Sequence, residues 1–397
     1  MTSSEPELEP LPEVTAHVDR CLVEISRQVD WLRYVTPLRP EELWSEFRGG
    51  RFRRMPDFDY PEPPLDIEVA RKALLDLPVR EIESPVYEAL LAEKRRELDR
   101  QLELIELRGT DGFLQVSADL FGVADAELHA AALRILDVVE RDEGTENGLI
   151  GVEHVSEAAR AQLASYRKQC PDFSAAVIRT DNILSGLMVS DGNLLVSEDI
   201  CIPRERLDAL LHHEIGTHIL TCYNGGQQAL KQLSCGLAHY DELQEGLGVL
   251  SEYLAGNLSA LRFRTLAARV VAVRMLTDGA AFTDVFESMC DECQFGKRAA
   301  FTITVRVFRG GGLTKDIVYL RGLRDLLAYL SEGNPFEPLF VGKFSLSQLP
   351  AMRELGKTGQ LLPPRLLPSY LHNAAAQQRL SSCARTPLDQ LYQRLAA

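Results

Sequence analysis

No stretch of this chain is apolar for long enough to cross a membrane. A span needs roughly 20 such residues, and the best candidate, Ala267 to Leu276, is interrupted by Arg269 and Arg274. Positive charge is also scarce, with 43 Lys+Arg against 58 Asp+Glu and a formal net charge of -15. A field of that sign repels polyanions, so neither nucleic acid nor an anionic membrane is expected as a partner. The eight cysteines are spread thinly over 397 residues, whereas a disulfide scaffold is short and Cys-dense. They read as reduced thiols in a cytoplasmic protein. Cys290 and Cys293 form a lone CxxC with no second pair to complete a structural zinc site, so they read as ordinary helix cysteines. A basic, apolar export leader is missing as well: MTSSEPELEPLPE is acidic and Pro-rich, and residues 1–13 are expected to be a disordered tail. There is no internal repeat and no low-complexity tract.

What remains is an ordinary soluble composition, 45% hydrophobic and 25% charged, enough for one large core or two smaller ones. The first third reads as helical. Val14, Cys21, Leu22, Ile25, Val29 and Leu32 keep largely helical spacing. A Pro-rich crossing from Met55 to Asp66 breaks it. A long helix from about Pro85 to Leu107 ends at Gly109, placed like a C-terminal cap, and another runs from Asp125 to Arg141. Near residue 176 the period changes. AAVIR, SGLMVS and NLLVS read as short strands, the last two joined by a hairpin at Asp191-Gly192. Helices follow from near Pro203 to Asn224, from Tyr240 to Ala255 and from Ser259 to Asp278. FTITVRVF alternates like a strand up to Phe308, three glycines come next, and IVYLRGLRDLLAYLSEG is helical. This order implies an α+β fold, mostly helical, with a small sheet beside the helix that starts near Pro203. A helical region over 14–165 would pack on a second region over 166–397, with no flexible linker between them.

The chemistry concentrates in His213-Glu214-Ile215-Gly216-Thr217-His218. Zinc prefers imidazole nitrogens, and a hydrolytic site needs a carboxylate beside the metal. In the familiar H-E-x-x-H pattern the histidines are four apart on one helix face. Here they are five apart, roughly 140° around an ideal helix against about 40° for four. Both imidazoles reach one ion only if a one-residue bulge widens the helix, as happens at some functional sites; Gly216 would ease it. His212 points away from His213. For a third ligand, His239, Asp241, Glu242 and Glu245 are candidates. Glu245 is favoured because Gly246 beside it permits close helix approach. The competing reading is a buried helix whose histidines only make hydrogen bonds.

These residues resemble the microtubule-associated tyrosine carboxypeptidase family, formerly a domain of unknown function, whose bacterial members carry a QEGLA motif. The likeness runs from about Val14 to Leu371. It includes RGTDGFL, SGLMVSDGNLLVS, LLHHEIGTH, GLAHYDELQEGL, RVFRGGGLTKDIVYLRGL and VGKFSL. The resemblance implies a zincin-like zinc carboxypeptidase with an HExxxH motif, ligands His213, His218 and Glu245, and Glu214 as general base. Two positions depart from the pattern. Gly248 stands where the motif has alanine, a change expected to loosen packing beside the ligand, and Gln227-Gln228 stands where Gln-Pro is expected.

The reaction so implied is removal of a C-terminal residue, tyrosine or another bulky or acidic one, from a protein or peptide tail. It needs a donor for the oxyanion and a cation for the terminal carboxylate. In the loop FRGGGLTKD and the turn after it, Arg309 or Lys315 is expected to hold the carboxylate and Tyr319 to support the oxyanion. The plainer reading makes them surface cations and a packed tyrosine. The glycines do not form a phosphate loop, since no Lys-Ser/Thr follows them. Two alternatives remain at this level: a non-catalytic zinc-binding regulatory protein, and an endo- or aminopeptidase.

Overall fold

The motif helix and its partners are placed by two layers of packing. The computed structural model describes residues 8–64, 66–141, 148–181, 183 and 185–392; of the expected tail, residues 1–7 lie outside the described residues. The chain is mostly helical with two small sheets, the α+β arrangement expected from the sequence.

The first helix, Glu13–Gln28, buries Thr15, Val18, Asp19, Leu22 and Val23 along one stripe, a spacing of three and four residues that puts them on one face. Asp19 is buried for a reason: its carboxylate accepts the backbone N–H groups of Lys231 and Gln232, at 2.8 and 2.9 Å. It thereby satisfies amide donors at the start of the short helix Gln232–Cys235. The long helix Pro85–Glu106 and the helix Ala126–Val138 occupy the stretches read from the sequence. One apolar cluster extends from Val18 to Leu391 and joins these helices to Tyr240–Leu254, Ala260–Thr277 and Val318–Ser331.

A second cluster lies under the three-stranded sheet. Asn193–Ser197 is its central strand, parallel to Val177–Thr180 and antiparallel to Leu187–Ser190. The hairpin turns at Asp191 and Gly192, with φ of 46° and 74°. Two consecutive positive φ values match the right-handed twist of the strands, which is why Asp-Gly stands there. Leu194 and Val196 point down from the central strand onto Ile215, Ile219 and Leu220 of the motif segment, so the sheet rests against that segment.

Two expectations need correction. FTITVRVF is not a strand: residues Lys297–Phe308 form a helix. Its β-branched residues mimic alternation, but the buried set is Ala300, Phe301, Ile303, Thr304 and Val307, which closes on one helical face. The aromatic ring of Phe47, packed 5.2 Å from Phe301 and 4.9 Å from Phe286, rewards that face, and packing overrides local β-propensity. The motif helix also starts later than Pro203. Ile202–Pro203 pairs with Leu149–Ile150 in the two-stranded sheet, and regular helix begins at Leu207.

The tightest helix crossing involves two glycines. A methyl group on Gly322 would lie 2.0 Å from the carbonyl oxygen of Glu242, and one on Gly246 would lie 2.5 Å from the carbonyl carbon of Gly322. The backbones of Tyr240–Leu254 and Val318–Ser331 therefore touch directly. Gly322→Ala must push them apart, and a loss of about 3 kcal/mol is expected. Urea unfolding of the variant checks this; a loss below about 1 kcal/mol would show that the crossing has slack.

Candidate metal centre

The extra residue between the histidines is absorbed by a π-helical turn. The segment runs as α-helix over Leu207–His213, π-helix over Glu214–Ile219 and α-helix again over Leu220–Gly226. The wider turn brings the His213 and His218 rings to 5.0 Å between centroids. From the helix Tyr240–Leu254, Glu245 reaches across to both. Its Oε2 lies 3.3 Å from His213 Nε2 and 3.9 Å from His218 Nε2. One ligand atom from each of the three lies within 4.8 Å of the others, a grouping able to hold a metal ion.

The neighbouring side chains fix which nitrogen faces inward. His213 Nδ1 donates to Glu252 Oε1 at 3.0 Å, which leaves Nε2 turned to Glu245. His218 Nδ1 lies 3.4 Å from Gln244 Oε1, an oxygen that also accepts from Thr221 Oγ1 at 2.7 Å. Such outer partners set the tautomer and the aim of ligating imidazoles. Glu252 is fully buried, and Arg262 approaches the same oxygen at 3.2 Å. Sequence reasoning missed Glu252. Its signal was available: it sits seven residues after Glu245, two helical turns along the same face.

The other proposed third ligands are committed elsewhere. Asp241 binds Lys315 Nζ at 2.6 Å, and Glu242 accepts from Arg321 Nε at 2.7 Å. His239 is half-exposed, with its backbone N–H on Glu97. His212 turns to Asp208 and lies edge-on to Tyr370.

Burial governs the charges. It drives the Glu214 carboxyl up to about 7, assisted by the negative field of Glu245 and opposed by His213. The Glu214 carboxylate has no hydrogen-bond partner among the described residues, so it is free to exchange a proton. Burial also disfavours charge on His218 and lowers it to about 4. At His213 burial acts the same way but is outweighed by Glu245 and Glu252, which push it up to about 10. Burial raises Glu245, yet the two histidines hold it well below the ordinary carboxylate range. Two imidazoles and a carboxylate, already clustered and oriented, are a donor set able to hold a metal ion.

Gly248 has a different effect from the looser packing expected of it. A methyl group there would lie 2.4 Å from His213 Cε1, so the glycine lets the imidazole lie against the helix that carries Glu245. Tyr319 faces the guanidinium groups of Arg262 and Arg269, at 5.6 and 5.5 Å from its ring centroid. Arg309 is buried, with one terminal nitrogen on Thr36 Oγ1 at 3.0 Å, and Lys315 is buried on Asp241.

Glu252→Ala would leave His213 Nδ1 and the Arg262 guanidinium without their shared acceptor in a buried place. A loss of about 3–5 kcal/mol is expected, with a smaller loss for Glu252→Gln, which keeps an acceptor oxygen. Denaturant titration of the two variants checks the order; equal stabilities would show that the retained acceptor oxygen adds nothing.

Comparison with known proteins bears on this geometry. No curated protein matches the chain. A solved structure described as a lipoprotein of unknown function from Shewanella oneidensis aligns over 73% of this chain and 72% of its own, at 12% identity and a TM-score of 0.39. That likeness is too slight to bear on fold or function. The family model described as microtubule-associated tyrosine carboxypeptidase matches residues 45–386, a span that contains the whole cluster and most of the chain. The chain belongs to the microtubule-associated tyrosine carboxypeptidase family.

Proposed function

We propose that the protein is a zinc-dependent carboxypeptidase that removes a C-terminal residue from a protein or peptide tail. The observation carrying this reading is the convergence of His213, His218 and Glu245 across the π turn, with Glu214 on that same turn. Family membership supports the metallocarboxypeptidase class. Zinc held by the three side chains would supply Lewis acidity to the scissile carbonyl.

The chain's own groups account for the proton chemistry. Glu214, on the π turn that brings the two histidines together, is placed to take a proton from the attacking water. It returns that proton to the amine as the C–N bond breaks. The Tyr319 phenol donates to the developing oxyanion; burial raises its pKa further, with Glu245 adding to the effect, so it stays protonated. The substrate tail lies extended along Leu187–Ser190, an edge strand of the three-stranded sheet, where backbone hydrogen bonds bind without regard to sequence. Eight free cysteines suit a reducing compartment such as the cytoplasm.

Peptide cleavage followed by mass spectrometry tests the proposal. The expected product lacks one C-terminal residue, and a C-terminal amide abolishes its formation. Glu214→Gln is expected to lower kcat by about 10²–10⁴-fold while the bound zinc, about one equivalent by elemental analysis, is retained. Cleavage that survives the amide would make the protein an endopeptidase. Full activity in Glu214→Gln would remove that residue as the base.

Loss of metal provides a separate check. His218→Ala and Glu245→Ala should each copurify with less than about a tenth of an equivalent of zinc, and a chelator should silence the wild type. Variants that keep a full equivalent would show that the ion sits elsewhere.

A further inference from the structure

Beside the candidate metal centre the charges do not balance. Three guanidinium groups, Arg269, Arg306 and Arg309, share one carboxylate. Asp316 is buried and pairs with Arg306 through two hydrogen bonds of 2.6 and 2.7 Å. Arg269 Nε stands off at 3.5 Å and Arg309 at 3.9 Å. These four residues sum to about +2, with Glu245 the next anion near enough to act on Arg306, in a chain whose formal net charge is -15.

Of the three, Arg269 is the one without a hydrogen bond among the described residues. Its side chain is 13% exposed, and its Nε is buried without a partner. Leaving a guanidinium so placed is unfavourable unless an anion completes it. Desolvation, together with repulsion from Arg306, pulls its pKa down to about 10. Arg306 spends Nε and Nη2 on Asp316 and keeps Nη1 without a partner among the described residues; its side chain is 28% exposed. Arg309 also has a buried Nε without a partner, but it is only 5% exposed and bonds Thr36 Oγ1 through Nη1.

Position links the cluster to the metal residues. Arg269 faces the Tyr319 ring, whose other guanidinium neighbour is Arg262. Arg262 binds Glu252, and Glu252 holds His213. Tyr319 thus lies against both Arg269 and Arg262, within reach of the charge on Glu245.

Resting on the carboxypeptidase reading above, we propose that Arg269 and Arg306, flanked by Tyr319, form the receptor for the terminal carboxylate of the substrate. Asp316 is the positioning residue that holds Arg306 in place. A guanidinium offers paired N–H donors matched to a carboxylate, and the excess charge supplies the attraction. Arg309 and Lys315, the cations picked out by sequence, serve instead in the support behind the site, each bonded to a protein group. A substrate without a free C-terminal carboxylate leaves Arg269 unsatisfied, so exopeptidase selectivity follows from an unfavourable state that only the correct end of a chain relieves.

Binding measured without turnover tests this. Zinc-loaded Glu214→Gln protein is titrated calorimetrically with an N-acetylated tripeptide ending in tyrosine and with its C-terminal amide. The acid is expected to bind at least about 50-fold more tightly than the amide. Adding Arg269→Gln should shrink that ratio below about 5-fold with little change for the amide, and Arg269→Lys should restore part of it. The melting temperature of Arg269→Gln should hold or rise, since a desolvated cation repelled by Arg306 has been removed. Retention of the full acid preference by Arg269→Gln overturns the receptor while leaving the carboxypeptidase reading intact. A lowered melting temperature with both peptides lost makes Arg269 structural and also overturns it. No acid preference in the Glu214→Gln parent removes the carboxypeptidase reading and the receptor together.

Discussion

Residues five apart on a regular α-helix point to different sides, and the centre described here depends on a single turn in which that rule is relaxed. Between His213 and His218 the backbone widens to a π-helix, and both imidazoles then face the same carboxylate. Widening a helix gives up favourable hydrogen-bond geometry, so something must hold it. The sheet holds it on one side, through Leu194 and Val196 against Ile215 and Ile219. On the other side Glu252 and Gln244 grip the two rings from one neighbouring helix. The distortion is therefore fixed from two directions before any ion is considered.

That neighbouring helix, Tyr240–Leu254, organises the rest of the site. It supplies Glu245, both outer partners of the histidines, and the glycine at which Val318–Ser331 comes into backbone contact. Close approach at Gly246 and Gly322 fixes where Tyr319 stands, one turn before Gly322. The surrounding charges are arranged in the same economical way. Three acids around the site have assigned cations or imidazoles: Glu252 with His213 and Arg262, Asp241 with Lys315, Asp316 with Arg306. Against that regularity Arg269 stands out.

Much of this was legible in the sequence because the informative signals were local. The five-residue spacing of the histidines demanded a bulge, and Gly246 beside Glu245 announced a close crossing. Asp191-Gly192 fixed a hairpin turn. What stayed hidden depended on partners distant along the chain. FTITVRVF looked like a strand because nothing nearby reveals that Phe47, some 250 residues earlier, waits to pack on Phe301. Arg309 and Lys315 looked free because their acceptors, Thr36 and Asp241, come from other segments. Arg262, Arg269 and Arg306 were overlooked for the same reason: on paper they are three more cations on amphipathic helices, and only the fold sets them around one tyrosine.

The imidazole of His213 lies flat in a space that any side chain larger than hydrogen at position 248 would fill. Alanine at that position would have to seat the ring further from that helix. A single carbon atom, on a residue that donates nothing to the cluster, is thus a dial on how far apart its donors rest.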